Sequence, residues 1–263
     1  MDSVLKGKCA IITGSTSGIG LGIAECLACA GCDISLNGFG DPDTIESTRT
    51  RLADRYGMRI LYTAADISQP AECLAMVQRV QAELGPVDIL VNNAGIQHVA
   101  PIDEFPMERW DAVIAINLSA AFHLTAAVLP AMRSQAYGRI VNIASVHGLV
   151  ASKNKSAYVA AKHGLIGLTK VTALETAGQG ITCNAICPGW VHTPLVEAQI
   201  VARMASESID RRHAEQWMLR ESQPSGEFVQ PEQIGALAVF LCSHAAASIT
   251  GVSLPVDGGW TAR

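Results

Sequence analysis

Short apolar runs of β-forming residues alternate with helical segments along the whole chain. The runs are CAIIT, CDISLN, RILYTA, DILVNNA, RIVNIAS, ITCNAICP and VSLPVDGG, each bordered by 12 to 28 residues of helical pattern. Strands that are apolar on both faces must be covered on both faces, and strands separated by helices pair in parallel through helical crossovers. An α/β fold follows: a doubly wound, Rossmann-like parallel sheet of about seven strands. One such domain accounts for residues 1–263, and no internal boundary, repeat or low-complexity tract interrupts it. The order of the strands cannot be read from their periodicity.

Residues 193–228 depart from the pattern, being charged, helical in period and free of strand signals. They follow the C-terminal end of the sixth strand, the side on which such sheets bind ligands, so this segment is expected to be a helical lid.

A net charge of −5 without any basic block gives no footprint for nucleic acid. No uninterrupted apolar run reaches the length of a membrane span, and the N-terminal MDSVLKGKCAIITG lacks the pattern of an export signal. A cytoplasmic protein acting on a small molecule, with no membrane partner, is expected. The eight cysteines fall inside apolar strands or helices and read as reduced core thiols. Cys26, Cys29 and Cys32 have a spacing that can hold an iron–sulfur cluster. The first two share a helix face while the third begins a strand, so they should not converge, and no metal site is expected.

TGSTSGIG, residues 13–20, follows the first strand and opens a helix, the context in which a glycine-rich turn means a phosphate site. Gly14, Gly18 and Gly20 would let the backbone approach a pyrophosphate at the helix N-terminus. Their spacing, G-x-x-x-G-x-G, differs from the commoner G-x-G-x-x-G. NNAG at 92–95 follows the fourth strand, Asp66 follows the third, and PGWVHT occupies 188–193. In SAYVAAKHG, Tyr158 and Lys162 are four apart and so share a helix face, while Ser145 ends the fifth strand thirteen residues before the tyrosine.

With these motifs in this order the chain resembles the short-chain dehydrogenase/reductase family over its whole length. The resemblance implies a catalytic set of Ser145, Tyr158 and Lys162, with Asn117 of AINLSA holding a water in a proton relay to the lysine. It implies that Gly14, Ser15, Thr16, Gly18, Ile19 and Gly20 line the dinucleotide phosphates and ribose, together with Asn93, Ala94 and Gly95. Asp66 and Ile67 would take the adenine, and Phe39 would stand near its ribose. Ile186, Pro188, Gly189, Trp190, Val191 and Thr193 would surround the nicotinamide, which Tyr158 and Lys162 would also touch.

The chemistry fits those residue types. Removing a hydride from a secondary alcohol requires a base for its hydroxyl proton. Tyrosine ionises near pH 10 in water, and a neighbouring ammonium lowers that value, which accounts for a lysine one turn away. NAD is the expected cofactor. LNGFGD, at the end of the second strand, lacks the acid usual in NAD enzymes, but it also lacks any lysine or arginine to neutralise a 2′-phosphate.

NAGIQH, ASVHGLVASKNKSAY, CPGWVHTPLVEAQI and DGGWTAR resemble the members of that family that interconvert D-3-hydroxybutyrate and acetoacetate, the chemistry of ketone bodies. Carried onto this chain, the resemblance assigns Gln97, His147, Lys155 and Gln199 to the substrate carboxylate. Trp190 and Trp260 fall around the methyl end, and Ser145 and Tyr158 hold the reacting oxygen. A small anion entering a protein of net charge −5 needs local donors, and charge-assisted bonds from Lys155 and His147 would supply them. A homotetramer is implied as well. Reduction of another small oxo acid or of a 3-oxoacyl thioester is the competing activity, and a non-catalytic dinucleotide sensor would share the fold.

Overall fold

The computed structural model describes residues 4–220 and 222–262. The strands are β1 Cys9–Ile12, β2 Asp33–Asn37, β3 Ile60–Thr63, β4 Ile89–Asn92, β5 Gly138–Ile143, β6 Ile181–Pro188 and β7 Ser253–Val256. They form one sheet in the order β3-β2-β1-β4-β5-β6-β7, with every neighbouring pair parallel. The order reverses between β1 and β4, which opens a crevice at their C-terminal ends.

The strands are apolar throughout because successive side chains feed opposite cores. Ala10 and Ile12 join a cluster with Ile23, Leu27, Ile234 and Leu241 from helices α1 (Gly18–Cys29) and α9 (Pro231–Cys242). Cys9 and Ile11 join the other, with Val77 and Val80 of α3 (Pro70–Leu84) and Leu124 and Val128 of α5 (Ala120–Ser134). Helix α2 (Pro42–Tyr56) covers β3, starting at an Asp41 cap that accepts from Thr44 N–H at 2.9 Å and ending at left-handed Gly57. β7 stops short of the expected run: the Asp257 carboxylate accepts from the N–H groups of Gly259 (3.0 Å) and Thr261 (2.8 Å) and turns the chain.

Helix α4 (Met107–Ile114), a π turn (Ala115–Ser119) and α5 form one continuous helix. By length and composition it is apolar enough to cross a membrane. Asn117, Ser119 and His123 interrupt its apolar run without lowering its mean hydropathy much. Here the helix covers the sheet, burying Val113, Ala121, Leu124 and Val128.

Residues 193–228 contain α7 (Pro194–Glu207) and α8 (Arg211–Leu219). Caps at Thr193 and Asp210 start the two helices. Between them lies a small core of their own, Val196, Ile200, Ala214 and Met218, roofed by Trp190 and Phe228. The two stems of the insert meet in a parallel bridge, Val191 to Val229, with His192 N–H donating to Val229 O at 2.8 Å and Val229 N–H to Trp190 O at 2.9 Å. Outside, Arg211 grips Glu197 through two bonds of 2.7 Å, and His192 Nε2 stands 3.0 Å from the same carboxylate. These bonds hold the Glu197 carboxyl well below its ordinary range, at about 2.

Candidate active site

Helix α6 (Ser156–Glu175) carries Tyr158 and Lys162 beneath the C-terminal end of β5. The Lys162 ammonium is buried and donates to Ile143 O, the last residue of β5, at 2.8 Å. Burial pushes its pKa down to about 8. It stands 5.6 Å from the centre of the Tyr158 ring. Burial raises the phenol's pKa, while a hydrogen bond with Ser145 draws it back down.

Ser145 leaves β5 into a 3₁₀ turn, Val146–Gly148, and caps it: its Oγ accepts from His147 N–H at 3.1 Å. The hydroxyl keeps its own proton to donate. The turn can lie against α6 because position 148 is glycine, where a Cβ would come within 2.8 Å of Lys162 O. That close approach, which the sequence pattern does not signal, brings Ser145 and His147 up to Tyr158.

His147 is the hub of the substrate-side residues. Its Nδ1 lies 3.4 Å from Ser145 Oγ and its Nε2 lies 2.8 Å from Ser152 Oγ. Its ring sits edge-on to Tyr158 (centroids 6.0 Å apart) and to Trp260 (5.5 Å). Burial, with Lys155 nearby, pushes its pKa down to about 4. Burial thus favours the neutral imidazole at this position. Lys155 is half-buried at the N-cap of α6, and burial lowers its pKa. A lysine there adds its charge to the positive end of the helix dipole and the free N–H groups of the first turn, a combination suited to a carboxylate. Gln97, on the loop after β4, and Gln199, on α7, stand exposed, with no hydrogen bond to this cluster.

Trp190 roofs the core of the insert, its Nε1 donating to Ser222 Oγ at 3.1 Å, and so joins the end of β6 to the insert. Asn117 lies in the π turn, a distortion that recurs at functional sites. Its Oδ1 accepts from Ile96 N–H at 2.9 Å and its Nδ2 donates to Ile96 O at 3.0 Å. With both ends of the amide committed, the side chain braces the loop after β4.

The glycine turn after β1 fits a dinucleotide. A Cβ on Gly20 would lie 2.3 Å from Gly14 O and 2.5 Å from Asn93 Nδ2, and one on Gly14 would lie 2.8 Å from Ala94 Cα, so only glycine lets these backbones approach. Asn93 locks the turn by donating to Thr13 O at 2.8 Å and Gly14 O at 3.0 Å. Ser15 is a brace and not an open contact. It is fully buried, its N–H donates to Asn37 O at 2.7 Å, and its hydroxyl donates to Ile12 O at 2.8 Å. Thr16 Oγ1 donates to Phe39 O at 3.1 Å, pinning the loop after β2, where the Phe39 ring is exposed.

Asp66 keeps a half-exposed carboxylate after β3, its Oδ1 accepting from Ser68 N–H at 2.9 Å, and Ile67 is buried behind it. Gly18 and Ile19 open α1 beside Thr193, whose Cγ2 lies 3.4 Å from a Cβ built on Gly18. The crevice thus runs from β2 past β1 to Pro188, Gly189 and Val191 at the end of β6. Cys26 packs on α9, Cys29 is exposed, and Cys32 Sγ points to Leu5 O, so the three thiols do not converge. No group of three metal-ligating side chains occurs among the described residues.

The family profile described as enoyl-(acyl carrier protein) reductase matches residues 14–261. The chain is 56% identical to a D-beta-hydroxybutyrate dehydrogenase of Cupriavidus necator, over 99% of this chain and 100% of that protein. It is 50% identical to another of Rhizobium meliloti, over 97% and 99%. Among solved structures, L-sorbose reductase from Gluconobacter frateurii, complexed with NADPH and L-sorbose, superposes with a TM-score of 0.95 at 33% identity, covering all of both chains.

Proposed function

The chain belongs to the short-chain dehydrogenase/reductase family, and on that premise we propose that it interconverts D-3-hydroxybutyrate and acetoacetate with NAD as hydride carrier. The observation that carries the substrate is the contact of Ser145, His147, Tyr158 and Trp260 beside the half-buried cation of Lys155. A secondary alcohol with a carboxylate two carbons away matches that pattern of one proton acceptor, one donor and one cation.

In the oxidation, the nicotinamide when bound supplies the hydride acceptor. Ser145 donates to the reacting oxygen and orients it, while the Tyr158 phenolate takes its proton. Lys162, held on Ile143 O, stabilises the phenolate electrostatically through space. Lys155 holds the carboxylate, and neutral His147, fixed by Ser152, fills the wall between carboxylate and reacting carbon. The α7–α8 insert acts as a lid that excludes water.

NAD is favoured over NADP because the loop after β2 presents exposed Phe39 and no cation to a 2′-phosphate. Asn37 cannot substitute, since its amide donates to Thr63 O at 3.1 Å and Ala65 O at 3.0 Å. A homotetramer is supported by apolar side chains exposed on α5 and α6, Phe122, Val171 and Leu174, and light scattering reads it directly.

The test is NADH formation from the D and L enantiomers of 3-hydroxybutyrate, with NADP in parallel. Turnover of the D form with NAD is expected; activity confined to acyl thioesters would replace this substrate with the competing one.

A further inference from the structure

Gln223 lies in the C-terminal stem of the insert and is almost completely buried, at 1% exposure, although it is an amide in a polar loop. Its Oε1 accepts from Trp190 N–H at 2.8 Å, and its Nε2 donates to Trp190 O at 3.4 Å and to Glu227 O. One side chain thus holds both backbone groups of a residue 33 positions earlier. Room has been made for it, because a Cβ on Gly189 would lie 2.5 Å from its Oε1 and one on Gly258 2.6 Å from its Cγ. Ser222, its neighbour, takes the Trp190 indole N–H.

Gln223 therefore touches three parts at once: the end of β6, the closing stem of the insert and the turn after β7 that carries Trp260. We propose that Gln223 is a positioning residue that sets the seat of the α7–α8 insert over the substrate, acting through Trp190. It reaches neither substrate nor dinucleotide itself. The inference rests on the reading that the insert covers 3-hydroxybutyrate. Loosening the latch should weaken substrate capture more than the hydride step, because the base, its lysine and the glycine turn stand on other elements.

The chemistry of the latch supplies its own control. Gln223→Glu keeps an acceptor for Trp190 N–H but turns an ionised oxygen toward the carbonyls of Trp190 and Glu227. Protonation of that carboxyl restores a donor. Gln223→Leu removes the bonds at every pH. Both variants are compared with wild type by steady-state kinetics from about pH 5.5 to about pH 8.5 and by amide hydrogen exchange.

At the alkaline end both should raise KM for D-3-hydroxybutyrate about tenfold with kcat within about threefold of wild type. The Gln223→Glu defect, taken as a ratio to wild type at each pH, should shrink at least about threefold on acidification while that of Gln223→Leu stays constant. Exchange should quicken in residues 194–219 and remain slow in the sheet. Unchanged KM, a defect of Gln223→Glu independent of pH, or unchanged exchange in the insert overturns the latch. If wild type itself fails to oxidise 3-hydroxybutyrate, the substrate reading falls, and the exchange comparison still decides the latch.

Discussion

The ammonium of Lys162 stands 5.6 Å from the centre of the Tyr158 ring and is tied at 2.8 Å to the last carbonyl of β5. The lysine is thus anchored to the sheet and not to the tyrosine, and its charge acts on the phenol through space. Burial raises the phenol's pKa and lowers that of the ammonium to about 8, so burial by itself opposes a phenolate–ammonium pair, and the Ser145 hydrogen bond works against that by lowering the phenol.

Tyr158→Phe should lower kcat at least about 100-fold, since the ring still fills its space while the proton acceptor is gone. Dinucleotide binding, followed by fluorescence titration, should persist. A folded variant retaining more than about a tenth of wild-type kcat would remove Tyr158 from the role of base.

Phe39→Arg should raise kcat/KM with NADP by about tenfold or more, by giving a 2′-phosphate its cation. Position 38 is the wrong place for that arginine. Gly38 has φ +145°, and a Cβ there would lie 2.9 Å from Thr16 Oγ1. Equal kcat/KM for NAD and NADP in the wild type would dismiss the loop as the discriminator.

Lys155→Ala should cost on the order of 2–4 kcal/mol in kcat/KM for 3-hydroxybutyrate and much less for 2-butanol, which has no carboxylate. Both KM and kcat should change, because the clamp also aligns the reacting carbon. Equal losses on both substrates would mean that Lys155 acts on the structure or the cofactor instead.

His147 should make the fold sensitive to acid. Its pKa falls from 6.5 to about 4 on folding, so the unfolded chain binds the extra proton between those values and stability rises with pH across that window. Going from about pH 7.5 down to about pH 5 should cost roughly 2 kcal/mol from this group alone. Urea titrations of wild type and His147→Gln at the two pH values test it, and an equal acid loss in both would contradict a buried neutral imidazole.

The sheet and the placing of Tyr158 and Lys162 on one helix were legible because their signals are local: strands apolar on both faces, and a tyrosine and lysine one helical turn apart. Side-chain duties set by distant partners were not. Ser15 sits in the phosphate-binding motif, yet its hydroxyl and N–H serve β1 and β2; Asn93 clamps the turn it was expected to border. His147 loses its charge to burial that no spacing reveals. Gln223 left no trace at all, since an amide in a polar loop looks solvated until a chain segment 33 residues away folds over it. The π turn around Asn117 likewise depends on the loop that Asn117 holds.

The insert leaves β6 and returns toward α9 through stems bridged at Val191 and Val229. Chain entering and leaving at adjacent points can be lengthened, shortened or exchanged without shifting a single strand. The core of the insert is also its own, so a substitute brings its packing with it. The fold thus behaves as a socket: a segment taken between the corresponding bridge residues of another enzyme of this architecture could be plugged in to change which substrate is enclosed, while the glycine turn and the base stay as they are.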